Sequence, residues 1–482
     1  MTAEAALDPH PAPPLGEGWR DLLAEGRAPV LALILLGCWV VAADSLVTAT
    51  IMPSVGESLD GYAWFGWAAS GFLTGLVVAG ASAGWLAERI GLRAAMMLAG
   101  AAFAIGCALS AAAPGIALFL AGRVLQGCAA GWVCCLIYVV LALLFPGRLL
   151  PRVFALCTSV WGVATLVGPL LGGLFADAGM WRGVFWLFAG QAVLFTAASF
   201  VLIPRSAGRD SITALPAKPL LLLAIGITAI ATAGVIDHLT LAIALGATGT
   251  ALSVAALAAD RASGNGLVPA RSGPFPLGTA YITYFATTAA GTAFALYAPA
   301  LLQHRFGFGA LEAGYLVAIE ALAWTAASLS VAGAGEAWRS RLIVAGAASI
   351  LAGVTGLTLS MDGGGLAALA VAGALLGAGF GLSYSFLGQR VIGSFGDADR
   401  ARGSAAIGTA RNAGGALGAA LAGIAANAAG FGQGLSEANF AWVAWGAFGS
   451  GIPFALVGLI GAIRLTRARV QAEAVPGISE SA

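Results

Sequence analysis

Long apolar runs, cut by short polar breaks, recur along the chain from residue 28 to residue 463. An α-helix rises about 1.5 Å per residue, so roughly 20 apolar residues cross the ~30 Å hydrocarbon layer of a bilayer. Each run therefore predicts a membrane-spanning helix. Fourteen are read this way: 28–53, 63–84, 92–112, 115–145, 153–175, 183–204, 218–236, 239–259, 277–302, 311–333, 341–360, 366–389, 404–429 and 441–463. The middle pair is split only by Asp237 and His238 and reads either as two full spans or as one re-entrant hairpin. The first run is too long for the core of a signal peptide and predicts a retained helix.

Two Gly/Pro-rich breaks, 205–217 (RSAGRDSITALPA) and 260–276 (DRASGNGLVPARSGPFP), bracket that middle pair. They divide the chain into a tail (1–27), a first six-helix bundle (28–204), linkers with two accessory membrane helices (205–276), a second six-helix bundle (277–465) and a second tail (466–482). The expected fold class is an all-α polytopic membrane protein. Paired helix bundles around a midplane site are a common plan of secondary transporters.

Basic residues orient the spans. With the N-terminus inside, every Lys and Arg outside the spans falls in a loop on one side, apart from Arg182 and Arg305. Cytoplasmic loops collect such residues, so both termini are expected in the cytoplasm. Adding or losing one span would invert every later loop.

Composition agrees: 60% of the 482 residues are hydrophobic and 9% charged, too few to cover a water-facing surface. The formal charge of +1 supplies no basic excess for nucleic acid. Cys38, Cys107, Cys128, Cys134, Cys135 and Cys157 all lie in apolar runs, without a paired-Cys metal motif, and read as small packing residues. Of the three His, His10 is in a tail while His238 and His304 sit at span ends, so no paired-His metal site is expected. Lys218 follows Ala217 and lacks the preceding Gly of a phosphate-binding loop. No enzyme, metal, cofactor or direct use of ATP is called for.

Five segments carry more specific information. GWLAERIGLR (Gly84 to Arg93) joins the second and third spans, and GRVLQG in the fourth holds Arg123, Gln126 and Gly127. VGPLLGG in the fifth holds Gly168, Pro169, Gly172 and Gly173; the first span ends DSLVTATIMP from Asp44 to Pro53; and ARGSAAIGTARNAGGALG opens the thirteenth. In this order they resemble the major facilitator superfamily, in particular its fourteen-helix drug:proton antiporter branch, from about residue 28 to 465. Glu88 stands where that family usually has Asp, and Leu92 where a basic residue is usual. The resemblance implies two six-helix bundles plus two extra central helices, transport by alternating access, and a bacterial inner (plasma) membrane. It also implies proton coupling through the first-span acid and the fourth-span Arg.

Physically, Gly84 and Gly91 suit a tight turn, and Glu88, Arg89 and Arg93 offer charges for a cytoplasmic gate between bundles. Gly168, Gly172 and Gly173 permit close helix approach around the bend expected at Pro169. Charges at bilayer depth are costly and mark functional sites. Three are deep: Asp44 lies nine residues from Pro53, Arg123 eight from Gly115 and Glu320 nine from Leu311, which puts all three roughly 12 to 14 Å below the outer face. Asp44 and Arg123 are expected to pair, with proton uptake when they part. Glu320 has no evident basic partner and Trp324 lies one turn along, an acid beside an aromatic face that suits a lipophilic cation. Gln126 and Trp324 are expected in the substrate cavity.

The leading functional reading is proton-driven export of hydrophobic or amphipathic small molecules, multidrug type, because the spans hold few Asn, Gln or Lys to bind a polar solute. A same-fold importer or uniporter of a small solute, or a flippase for a lipid-like substrate, stays open. The expected partners are the small-molecule substrate, protons and the bilayer. The oligomeric state is open, and a monomer is compatible with the fold.

Overall fold

The computed structural model describes residues 22–24, 26–145, 149–205, 217–233, 235–236, 239–262, 276–331, 334–394 and 397–473. Among them the chain is helical, with no strand. The expected tail before residue 22, most of both linkers, the Asp237–His238 break and the tail after residue 473 lie outside the described residues.

The first half is built from α1 (Arg27–Ser58), α2 (Phe65–Ile90), α3 (Leu92–Ala111), α4 (Ile116–Leu144), α5 (Leu150–Asp177) and α6 (Trp181–Leu202). Then come α7 (Ala217–Ala233) and α8 (Leu239–Ala262). The second half holds α9 (Leu277–Phe306), α10 (Ala310–Ser330), α11 (Glu336–Gly363), α12 (Leu366–Gly393), α13 (Asp397–Ala428), α14 (Phe440–Gly449) and α15 (Ile452–Glu473). Among the described residues eleven segments are long and apolar enough to cross a membrane, α14 and α15 counting as one. Helix α7 is too short for that group at 17 residues, α8 has a shorter apolar stretch, and α13 begins with Asp397, Asp399, Arg400 and Arg402.

Several ends differ from the hydropathy reading because helices continue past the apolar layer. Helix α1 runs on beyond Pro53 to Ser58, and α13 starts at Asp397 rather than 404. The expected last span, 441–463, is interrupted between α14 and α15 at Ser450 and Gly451. Pro453 explains this locally: without an N–H it suits the first turn of a new helix and not the interior of a continuing one.

In the first half α1 packs on α5 and α6, and α4 on α2 and α3; in the second, α9 packs on α13 and α15, and α12 on α10 and α11. The halves meet along α2–α13 and α5–α10. Helix α7 lies against both α2 and α13, where Trp67 donates to the Thr232 hydroxyl at 3.4 Å, and α8 packs on α7. The outward faces carry large exposed apolar side chains such as Phe200, Val201, Leu329 and Trp442, a surface that suits lipid and not water.

Candidate functional site

Inside the first half, α1 and α4 bring Asp44 and Arg123 together. The guanidinium Nη1 lies 2.7 Å from Asp44 Oδ2, with the Asp fully buried and the Arg 3% exposed. Both partners of this ion pair are buried. The same Nη1 donates to Gln126 Oε1, and Gln126 Nε2 donates to Ser110 Oγ of α3 at 2.9 Å. Phe72 of α2 covers the guanidinium, its ring centroid 4.4 Å from Cζ. A cation on a desolvated ring face gains about 2 kcal/mol, which supports a charge that burial alone disfavours.

The network is incomplete on one side. Asp44 Oδ1, Thr48 Oγ1 one turn along α1, and Arg123 Nε are buried without a hydrogen-bond partner. Asp44 thus holds Arg123 with one oxygen, and its other oxygen makes no hydrogen bond. Gln126, expected in the substrate cavity, is fully buried here with its amide engaged at both ends. In this conformation it orients Arg123. That role is legible only in space, since Ser110 belongs to another helix.

Glu320 does not join this cluster. It is half-buried on α10, with Trp324 one turn on. Trp324 packs on Phe380 and Tyr384 of α12, at centroid distances of 4.9 and 5.5 Å. Equal depth therefore brings two of the three charges together, because Asp44 and Arg123 share a bundle while Glu320 belongs to the other.

Arg411 of α13, not among the deep charges expected from the sequence, completes the second cluster. Its Cζ lies 5.6 Å from the Trp324 ring and 5.1 Å from the Tyr384 ring. The Tyr384 hydroxyl is within 3.0 Å of Thr287 Oγ1 and 2.7 Å of Thr288 Oγ1, and Tyr284 donates to the Tyr384 carbonyl at 2.7 Å. A signal existed: Arg411 interrupts an apolar, Gly/Ala-rich run.

The residues around Pro169 divide between two neighbours. A Cβ at Gly168 or Gly172 would meet Leu46 or Thr50 of α1 at 2.8 or 2.9 Å, so these two seat α5 within its own half. Gly173 faces the other half, where a Cβ would stand 2.5 Å from Leu311 Cα on α10. Pro169 itself lies under Gly314 of α10. Just beyond, Asp177 Oδ1 accepts the Ala310 N–H at 3.0 Å, an acid from one half satisfying the first turn of a helix in the other. At the same end Tyr62 and Phe65 of the first half pack on Phe431 and Tyr297 of the second. The halves are thus joined tightly at the end that carries the α1–α2, α5–α6, α9–α10 and α13–α14 connections.

The expected loop Gly84–Arg93 is mostly helix. Gly84 lies within α2, and the turn is made by Gly91 alone at φ +83°, a region open to glycine and costly for other residues. Glu88 and Arg89 are exposed. Arg93 donates from Nε to the Ile203 carbonyl at 2.6 Å, binding the end of α6 within its own half.

A family model described as Major Facilitator Superfamily matches residues 34–259. A probable multidrug-efflux transporter of Mycobacterium tuberculosis is 31% identical over 398 residues, covering 79% of this chain and 83% of that protein. The chain belongs to the major facilitator superfamily. It is a polytopic membrane transporter of small molecules, not an enzyme. A tetracenomycin C resistance and export protein of Streptomyces glaucescens is 26% identical over 36% of this chain and 33% of its own length. Among solved structures, a D-xylose-proton symporter aligns with a TM-score of 0.63 at 16% identity, covering 89% of this chain and 96% of its own. A POT family transporter in complex with 5-aminolevulinic acid aligns at 0.65 and 13%, covering 91% and 97%. At such identities these two show the fold alone.

In a major facilitator the halves move largely as rigid bodies about a central site, so the Gly173–Leu311 contact has a direct consequence. Gly173→Leu is expected to wedge α5 from α10 and open the joined end. Overpacking of this kind costs about 1–3 kcal/mol, enough to shift a two-state population roughly 5- to 150-fold. Electron paramagnetic resonance between spin labels at Met180 and Glu437, both exposed at that end, should report a longer mean distance. An unchanged distance distribution refutes the wedge.

Proposed function

We propose that this transporter belongs to the fourteen-helix drug:proton antiporter branch and exports lipophilic or amphipathic small molecules in exchange for protons. Its bundles are residues 28–204 and 277–465, the middle pair is accessory, both termini are cytoplasmic, and the membrane is a bacterial plasma membrane. The reading rests on the buried Asp44–Arg123 pair with Asp44 Oδ1 unoccupied by any hydrogen bond. A proton on Asp44 cancels its charge and loosens its hold on Arg123, so the pair has two states that a gradient can drive. The names of the Mycobacterium and Streptomyces relatives support export of drug-like molecules. The joined end is then the outer one, and substrate enters from the cytoplasm.

In this reading Asp44 and Arg123 carry coupling and Gln126 holds Arg123 in register. Glu320 and Trp324 face the substrate, while Gly84, Glu88, Arg89, Gly91 and Arg93 form the cytoplasmic gate region. Reconstituted protein should move a lipophilic cation and a neutral lipophilic compound against their gradients under an imposed pH difference. Glu320→Gln is expected to lower cation transport about 10-fold, as loss of one contact to a charged group predicts, while proton-driven transport of the neutral compound continues. If Glu320→Gln alone stops both, the proton carrier belongs to the second half.

A further inference from the structure

The second cluster contains an unusual tenant. Arg411 rests on the faces of Trp324 and Tyr384, the first of them one turn from Glu320, yet among the described residues it forms no ion pair and its buried Nε has no hydrogen-bond partner. The rings are held firmly: Tyr384 by Thr287 and Thr288, Trp324 by Phe380 and Tyr384. Among the described residues the Arg is held by its contact with those rings. Glu320 lies one helical turn from Trp324 on α10. Cation, aromatic faces and carboxylate therefore occupy one level of the second half, contributed by α10, α12 and α13.

We propose that Arg411 is a resident surrogate for the substrate, a specificity-determining cation that occupies the Trp324–Tyr384 faces until an organic cation displaces it. This rests on the reading that Glu320 and Trp324 face the substrate. A planar guanidinium and a lipophilic cation seek the same electron-rich ring faces, so they compete. The displaced guanidinium meets Glu320, and the site keeps one cation on the rings and one carboxylate in reach at every stage. A neutral substrate has no claim on the ring faces beyond apolar contact and gains little by displacing Arg411. Arg411 thereby sets the threshold that a cationic substrate must exceed and weights the site toward neutral molecules.

Equilibrium binding to the purified full chain, without any gradient, separates this idea from the transport reading. Tetraphenylphosphonium serves as the cationic probe and N-phenylnaphthylamine as the neutral one. Arg411→Gln should raise the ratio of cation to neutral affinity roughly 2- to 30-fold, the range spanned by exposed and desolvated cation–π contacts. Arg411→Lys, which keeps the charge, should leave that ratio close to wild type. Adding Trp324→Ala to Arg411→Gln should cancel the gain. A ratio that falls or stays level in Arg411→Gln overturns the proposal, as does a gain that survives Trp324→Ala or a failure of wild type and variant alike to bind tetraphenylphosphonium. Loss of gradient-driven transport with these binding ratios intact would count against the antiport reading and leave this one standing.

Discussion

Asp44→Asn is expected to abolish export driven by an imposed pH gradient while the protein still inserts, folds and binds substrate. Asparagine matches aspartate in shape and offers an amide oxygen to Arg123, but it neither takes up nor releases a proton. Arg123 loses its counter-charge but keeps the amide oxygen, Gln126 and the Phe72 ring, so some thermal stability is lost and rates are taken per folded transporter. The loss should be about 100-fold or more, the scale on which a required proton-transfer group is felt. Asp44→Glu retains the titrating group and should keep part of the activity, distorted by the extra methylene in a site where Asp44 is fully buried. Initial rates in proteoliposomes, with substrate binding measured in parallel without a gradient, check this. Wild-type export by Asp44→Asn would remove Asp44 from the coupling mechanism.

Arg123→Ala should damage the protein itself. The guanidinium bonds to Asp44 and Gln126 and lies on Phe72, so its loss strands a carboxylate and an amide oxygen in the core of the first half. Breaking a buried pair from one side costs about 3–5 kcal/mol, visible as a large fall in thermal stability in detergent. The pair is coupled, so Asp44→Asn added to Arg123→Ala should recover most of that loss, because no charge is left unpaired. Additive losses in the double variant would mean that Arg123 stabilises the bundle through Gln126 and Phe72 and not through Asp44. Both single variants stop transport, one by removing the proton acceptor and the other by removing the group that answers it.

The meeting of Asp44 with Arg123 was legible in the chain, since counting residues from each span end puts both at the same depth. Depth is a one-dimensional quantity imposed by the bilayer, and a sequence records it directly. The same count places Glu320 level with them yet says nothing of azimuth. Trp324 lies on Glu320's own helix face by simple periodicity, whereas Tyr384 and Arg411 reach it from α12 and α13. Such neighbours are set by the rotation and order of helices.

What the sequence by itself determined is the solvent and the plan: apolar runs of bilayer length, basic loops on one side, two polar breaks around a middle pair. Those features follow from the cost of exposing charge or bare backbone to hydrocarbon, paid residue by residue and so readable residue by residue. Only the tertiary structure decided that Gly168 and Gly172 face α1 while Gly173 faces α10, that Gln126 serves Arg123, and that Arg411 lies on the Trp324 and Tyr384 rings. Lipid tails are as apolar as the helices they surround, so helix pairing in a membrane is decided by close packing and by polar contacts across helices. Both depend on surfaces assembled from residues far apart in the chain.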